Sequence, residues 1–283
     1  MDRFAGTATV ALSLGLVLIC CAAFGQVQGT ANVPLAEPWQ AEGVLGAGEI
    51  RLFEGGNQTF AAGVRGRVGE DMDAALTLFT MDTSGQEAVA GAVRDSEATL
   101  LGLNMRWLAH RGERYTVSVV PGVEIPLDDI KGTNTDIPAT ATSDDIIPVL
   151  SIPIEWQTEG GTRFVVVPRY VGFEDSPEVG DETIAGFGDI IAIGGGAIHS
   201  FGQYFVHGDL QIVLDGDNSI DEVTGAPTDE VAWSVGGTWH GESEESWRVD
   251  LFVTNVAGPT DATSIIATPD QSLGIGIRAS GEF

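Results

Sequence analysis

Arginine is the residue whose placement carries most chemical information in this chain. Arg51, Arg65, Arg67, Arg106, Arg114, Arg163, Arg169, Arg248 and Arg278 fall on one side of segments in which apolar and polar residues alternate, and Glu49, Glu124, Glu155, Asp189, Asp209, Asp250 and Glu282 fall on the same side. In an extended strand, residues two apart face the same way, so each set defines one face of a sheet. Guanidinium and carboxylate groups gathered on one face either pair and fill the space between them or line a charged passage. Catalysis finds no comparable set. His110, His199 and His240 stand at turns, and His207 shares its face with Asp209 and Gln211 rather than with a serine. Neither a G-x-S-x-G elbow nor an H-E-x-x-H zinc motif occurs. No catalytic residue, metal ligand set or cofactor is assigned.

Those faces require strands to carry them. Beyond residue 43 helical periodicity is almost absent, and alternating stretches recur at 45–53, 58–68, 73–82, 98–110, 113–126, 146–157, 162–173, 187–199, 203–214, 230–240, 246–256 and 272–283. Their connections alternate in length. Short turns at Gly69-Glu70-Asp71, Arg111-Gly112, Glu159-Gly160-Gly161, Phe201-Gly202 and Gly241-Glu242-Ser243 are interleaved with long polar loops near 83–97, 127–145, 174–186, 215–229 and 257–271. Successive hairpins with short turns at one end and long loops at the other predict an all-β, closed, antiparallel up-and-down transmembrane β-barrel of about twelve strands, spanning residues 44–283. A soluble sandwich shares the same period with its apolar set inside.

Two features favour lipid outside. Trp107, Trp156, Trp239, Trp247 and Phe283 lie on the apolar set beside the short turns, where a membrane interface selects amphipathic rings. Leu273, Ile275, Ile277, Ala279, Gly281 and Phe283 alternate up to a terminal aromatic. That end resembles the closing strand of bacterial outer-membrane barrels, which implies recognition by the barrel assembly machinery. A second resemblance starts at Gly186-Phe187-Gly188-Asp189 and continues through a hairpin ending Leu214-Asp215-Gly216-Asp217. It is similar to the phenol-degradation family of outer-membrane proteins linked to uptake of aromatic compounds. The second half departs from that family's proline-containing form, and no functional residue is carried over.

The first residues have another purpose. Arg3, an apolar run from Val10 to Ile19 and Ala23-Phe24-Gly25 form the layout of a signal peptide over residues 1–25, followed by an extension over 26–43. The only cysteines, Cys20 and Cys21, lie within the segment to be removed, so neither disulfides nor thiolate chemistry is expected afterwards. The formal net charge of −28 excludes nucleic acid as a partner, because phosphates are repelled. Outer-membrane lipids, the assembly machinery and small solutes or ions remain. Asp128, Asp129, Asp136, Asp144 and Asp145 crowd one loop, and Glu174, Asp175, Glu178, Asp181 and Glu182 the next. Such runs are solvated surface, or oxygen ligands for calcium. Asp215-Gly216-Asp217-Asn218 lacks the bidentate Glu of a calcium loop.

With the arginines inside, a barrel of this size is read as a narrow porin-like channel; the alternatives are a structural or surface protein whose lumen is closed by Arg–carboxylate pairs and, behind it for want of a His–Ser pair on the wall, a barrel lipid hydrolase. Pro121, Pro148, Pro153 and Pro168 sit inside expected strands although each lacks a ladder donor, so bulges or breaks are expected there. Deleting Phe283 is expected to reduce the yield of folded, heat-modifiable barrel more than Phe79→Leu does; equal yields would exclude a role for the terminal aromatic in assembly.

Overall fold

The computed structural model describes residues 46–54, 58–82, 86–89, 92–94, 97–127, 146–173, 178–179, 182–183, 187–221, 227–240, 247–256, 258, 260–267 and 273–282. The expected signal peptide, the 26–43 extension, Phe283 and most of the acidic loops lie outside these residues.

Twelve wall strands follow one another around the sheet. They are β1 (Gly46–Glu54), β2 (Gln58–Arg67), β3 (Met72–Asp82), β4 (Glu97–Arg111), β5 (Tyr115–Pro126), β6 (Ile147–Ser151 and Ile154–Gln157), β7 (Thr162–Gly172), β8 (Asp189–Phe201), β9 (Tyr204–Asp215), β10 (Ala232–His240), β11 (Trp247–Thr254) and β12 (Gly274–Glu282). Each pairs antiparallel with its sequence neighbour, and β1 pairs with β12 from Ala47↔Glu282 to Glu54↔Ile275, so the sheet closes on itself. The expected boundaries agree with these to within about two residues. Alternation is strong enough to fix both strand and face, because a one-residue slip would exchange the two faces completely.

The faces are inverted relative to a soluble protein. Leu76, Leu78, Leu103, Met105, Ile193, Leu210, Ile212, Leu251, Ile275 and Ile277 are exposed on the outside, while Arg106, Glu124, Glu155, Arg163, Arg169, Asp209, Gln211, Asp250 and Arg278 are buried within. Water would penalise so much exposed apolar surface, whereas hydrocarbon accepts it and leaves the backbone groups to be satisfied by a closed ladder.

Proline shapes one sector. The four prolines expected inside strands fall on β5, β6 and β7, and Pro126 ends β5. Pro121, Pro148 and Pro168 point outward and are exposed, and Pro153 occupies the gap that divides β6. The expected continuous strand 146–157 is thus two pieces. The break still feeds its neighbours: Ser118 N donates to Pro153 O at 3.0 Å and Ile152 N to Pro168 O at 3.0 Å. At the short-turn end, Phe201 faces Tyr204 across the two-residue turn Gly202–Gln203, where Gly202 adopts φ +68, a conformation that glycine takes without steric penalty.

Some expected loops contain local structure. Gln86–Val89 pairs with Ala92–Arg94, Glu178–Val179 with Glu182–Thr183, and Ser219–Ile220 with Pro227–Thr228. The last one departs most from expectation. Its described residues 260–267 turn inward instead of standing out in solvent, through a 3-10 turn at Thr263–Ile265 whose residues are all buried.

On the β11–β12 side, the Phe252 ring lies against Gly276, where any Cβ would overlap the ring. Gly276→Ala is expected to destabilise the barrel by about 1–3 kcal/mol through overpacking, read as a lower urea midpoint for loss of the folded band.

Candidate functional site: the charged lumen and its inserted loop

The lumen has two chemically different levels. Near the short turns it is charged. Asp73 holds Arg106 through two contacts to Oδ2, 3.0 Å from Nε and 2.6 Å from Nη2, with Arg65 Nε 3.8 Å from Oδ1. Arg163 and Glu155 approach to 3.7 Å. Asp250 gathers three partners: Arg278 Nη2 donates to Oδ2 at 2.6 Å, while His207 Nε2 at 2.7 Å and Thr238 Oγ1 at 3.1 Å bond Oδ1. The guanidinium of Arg248 lies 5.6 Å from the centroid of the Phe205 ring, within cation–π range. Strand alternation brings these groups inward, and register sets opposite charges side by side: Asp73 faces Arg106 across β3–β4, and Asp250 faces Arg278 across β11–β12.

Near the long loops the wall turns apolar inside. Ala61, Phe79, Leu100, Ile147, Val149, Val171, Ile190 and Ala192 form one cluster, completed by Phe173, Phe187 and, from the inserted loop, Ala262, Ile265 and Ile266. Between the two levels, wall side chains grip the inserted segment. Ala262 N donates to Glu124 Oε1 at 2.7 Å and Thr260 Oγ1 to Glu124 Oε2 at 2.8 Å. Arg169 Nη1 donates to Ser264 Oγ at 2.8 Å and to Asp261 O at 3.3 Å. Gln211 Nε2 donates to Ser264 O at 2.9 Å, Asn218 Nδ2 to Ile265 O at 2.7 Å, and Asn104 Nδ2 to Asp261 Oδ2 at 2.8 Å. The segment, rooted between β11 and β12, therefore reaches β4, β5, β7 and β9.

Of the residues expected to face the lumen, Arg106, Arg163, Arg169, Arg248, Arg278, Glu124, Asp209 and Asp250 are buried there, with Arg65 and Arg67 only partly covered. Arg51 pairs in register with Arg278, and Glu49 with Ser280. Two expectations are corrected. Arg114 precedes β5 and is exposed in the turn. Asp189 stands on the outer face, exposed, and accepts a 2.8 Å hydrogen bond from the Tyr170 hydroxyl, because Ile190 and not Asp189 takes the inward position. Asp73 and Asn218 are buried groups that the sequence reading missed.

Outside, Trp107 and Trp156 are exposed and Trp239 is half-buried at the short-turn end; Trp247 opens β11 there. Tyr115, Phe201 and Tyr204 are exposed at the same end and extend the aromatic set. Among the described residues no group of three or more His, Cys, Asp or Glu is arranged to hold a metal ion.

No known family description matches the sequence, and no curated protein does. Solved structures resemble the fold. The NanC porin superposes with a TM-score of 0.52 at 8% identity, covering 84% of this chain and 100% of that one. An outer-membrane channel from Pseudomonas putida F1 gives 0.52 at 9% identity, covering 88% and 99%. The translocator domain of the autotransporter NalP from Neisseria meningitidis gives 0.51 at 14% identity, covering 99% and 98%. The shared property is the fold of outer-membrane barrels, which hosts more than one activity.

Asp250→Ala leaves Arg278 and His207 buried without their common acceptor. A loss of about 3–5 kcal/mol of stability is expected, as for removal of one partner of a buried ion pair, measured as a lower denaturant midpoint; a shift no larger than that of an outward Leu251→Ala would show that the pair is not integral to the wall.

Proposed function

We propose that this protein is exported by cleavage of residues 1–25, inserts into the bacterial outer membrane as residues 44–283, and acts there as a narrow channel for small solutes or ions, with residues 26–43 as a separate extension. Two of the three fold relatives above carry porin or channel in their description. Trp107, Trp156, Trp239, Trp247 and Phe283 mark the periplasmic membrane interface in this reading.

The observation that carries the channel is an asymmetry of the lumen. Inward side chains of β7 to β12, among them Arg163, Arg169, Asp209, Gln211, Asp250 and Arg278, are buried. Inward Arg65, Arg67, Ala75, Thr77 and Asn104 on β2 to β4 keep partial exposure, while Asp73 and Arg106 beside them are buried. In the channel reading this sector, beside Arg65 and Arg67, is the path of water and solute. Twelve strands stand between the side-chain-filled eight-stranded barrel and the open sixteen-stranded porin, so the passage is narrow. Arginine gives it a cationic constriction, while the acidic loops outside act through screened solvent over a Debye length of about 10 Å at 0.1 M salt. Weak anion preference follows.

The buried Asp73–Arg106 and Asp250–Arg278 pairs favour a second reading, a structural outer-membrane protein with a closed interior. Reversal potential across a salt gradient decides between them. The wild type should prefer anions, and Arg65→Ala with Arg67→Ala should reduce that preference. Cation selectivity unchanged by the double substitution would remove the arginine lining, and a silent wild-type protein that stays silent when its lumen is cleared would establish the structural reading.

A further inference from the structure

We propose that the inserted segment 260–267 is a gate that shuts the lumen, with Glu124 as its latch; the inference rests on the channel reading above. The geometry of attachment separates it from ordinary core. The barrel ladder closes through β1–β12 without a hydrogen bond from the segment, so the wall is complete when the segment is absent. The isolated bridge Val256↔Ala267 ties the end of β11 to the last residue of the segment and makes a neck beneath its described residues. That neck is fixed at its root: Asn255 Oδ1 accepts from Trp233 N at 2.7 Å and Asn255 Nδ2 donates to Val231 O at 2.8 Å. The segment thus has a rigid base on β10 and β11 and a body held by side chains.

The chemistry of the grip points the same way. Glu124 is buried to 2% exposure, and the hydrogen bonds to its two oxygens come from the segment, a backbone N–H and a hydroxyl. A carboxyl group buried against neutral donors carries a desolvation cost that its hydrogen bonds only partly offset. It is a suitable choice for a contact that must open. On withdrawal, Glu124, Arg169 and Asp261 all pass from protein partners to water, which offsets the lost hydrogen bonds and keeps the two states close in free energy. Opposing this, Ala262, Ile265 and Ile266 leave the apolar cluster around Phe79 and Leu100, which holds the gate shut in the absence of solute. Apolar burial sets the closed state as the resting one, and the ionisable latch keeps it reversible. Glu124 acts here as a positioning residue, through the segment and not on the solute.

Protein purified from membranes and placed in planar bilayers gives the test. Wild type should show rare openings. Glu124→Ala should raise the open probability by about tenfold or more while leaving single-channel amplitude unchanged, and Glu124→Gln, which keeps one acceptor, should fall between. A chain in which residues 260–266 are replaced by glycine and serine should stay open. Folding of each variant is checked by heat modifiability. A second route leaves Glu124 in place: Asn104→Cys and Asp261→Cys replace one hydrogen bond of the grip and are bridged by a short bis-methanethiosulfonate, which forms a disulfide with each cysteine and should abolish openings until a thiol reductant cleaves both. Equal open probability in wild type, Glu124→Ala and the replaced-segment chain, or openings that persist in the cross-linked protein, would overturn the gate and leave the channel standing. Silence of the replaced-segment chain would overturn the channel reading and the gate with it.

Discussion

Everything in this molecule depends on the requirement that backbone N–H and C=O groups find partners where no water is present to supply them. In hydrocarbon an open strand edge carries a row of unsatisfied groups, each worth several kcal/mol. Pairing of β1 with β12 removes both edges at once. Closure then dictates the side-chain pattern, since one face of every strand meets lipid and the other meets a confined interior. The polar groups have only the interior to occupy, and their burial obliges them to pair. Asp73–Arg106, Glu155–Arg163 and the Asp250–Arg278–His207 cluster are consequences of the closed ladder.

Such pairing does not imply great stability. A buried ion pair repays its desolvation only when geometry and remaining hydrogen bonds are good. Asp250 meets this with three partners on its two oxygens. The Arg65–Asp73 contact at 3.8 Å is looser. The tight Asp73–Arg106 pair at 2.6 Å uses the same carboxylate, so tight and loose pairing stand side by side on β2 to β4.

The strands and their faces were legible in the sequence because the period of two is imposed by the backbone, and lipid punishes any violation. Arg106, Arg163, Arg169, Arg248 and Arg278 could be assigned to the interior for that reason alone. Asp189 was assigned to the wrong face where the signal vanishes: Ile190-Ile191-Ala192-Ile193 is continuously apolar, and the register shifts between Ile191 and Ala192 opposite β9. Arg114 failed at a boundary, one residue before β5 begins. Asp73 opens β3 next to a short turn, where an acidic residue reads as turn chemistry. The inserted segment was invisible for a different reason. Its first five residues, Thr260-Asp261-Ala262-Thr263-Ser264, have the polar composition of an exposed loop, and the apolar Ile265-Ile266-Ala267 that follows is too short to define an element. What brings it inside is a set of acceptors and donors on four strands far away in sequence, and no local pattern encodes such partners.

That non-local dependence also explains why the lumen is layered. A segment entering from the long-loop end can be seated only if the wall offers it both apolar burial and hydrogen bonds at the depth it reaches. The wall offers the first through Phe79, Leu100, Ile147 and Val171, and the second one step deeper through Asn104, Glu124, Arg169 and Gln211. Below that depth the interior is a layer of paired charges, Asp73 with Arg106 and Asp250 with Arg278. Polar loop residues and inward apolar wall residues, each out of place when considered alone, account for one another once they are paired across the lumen.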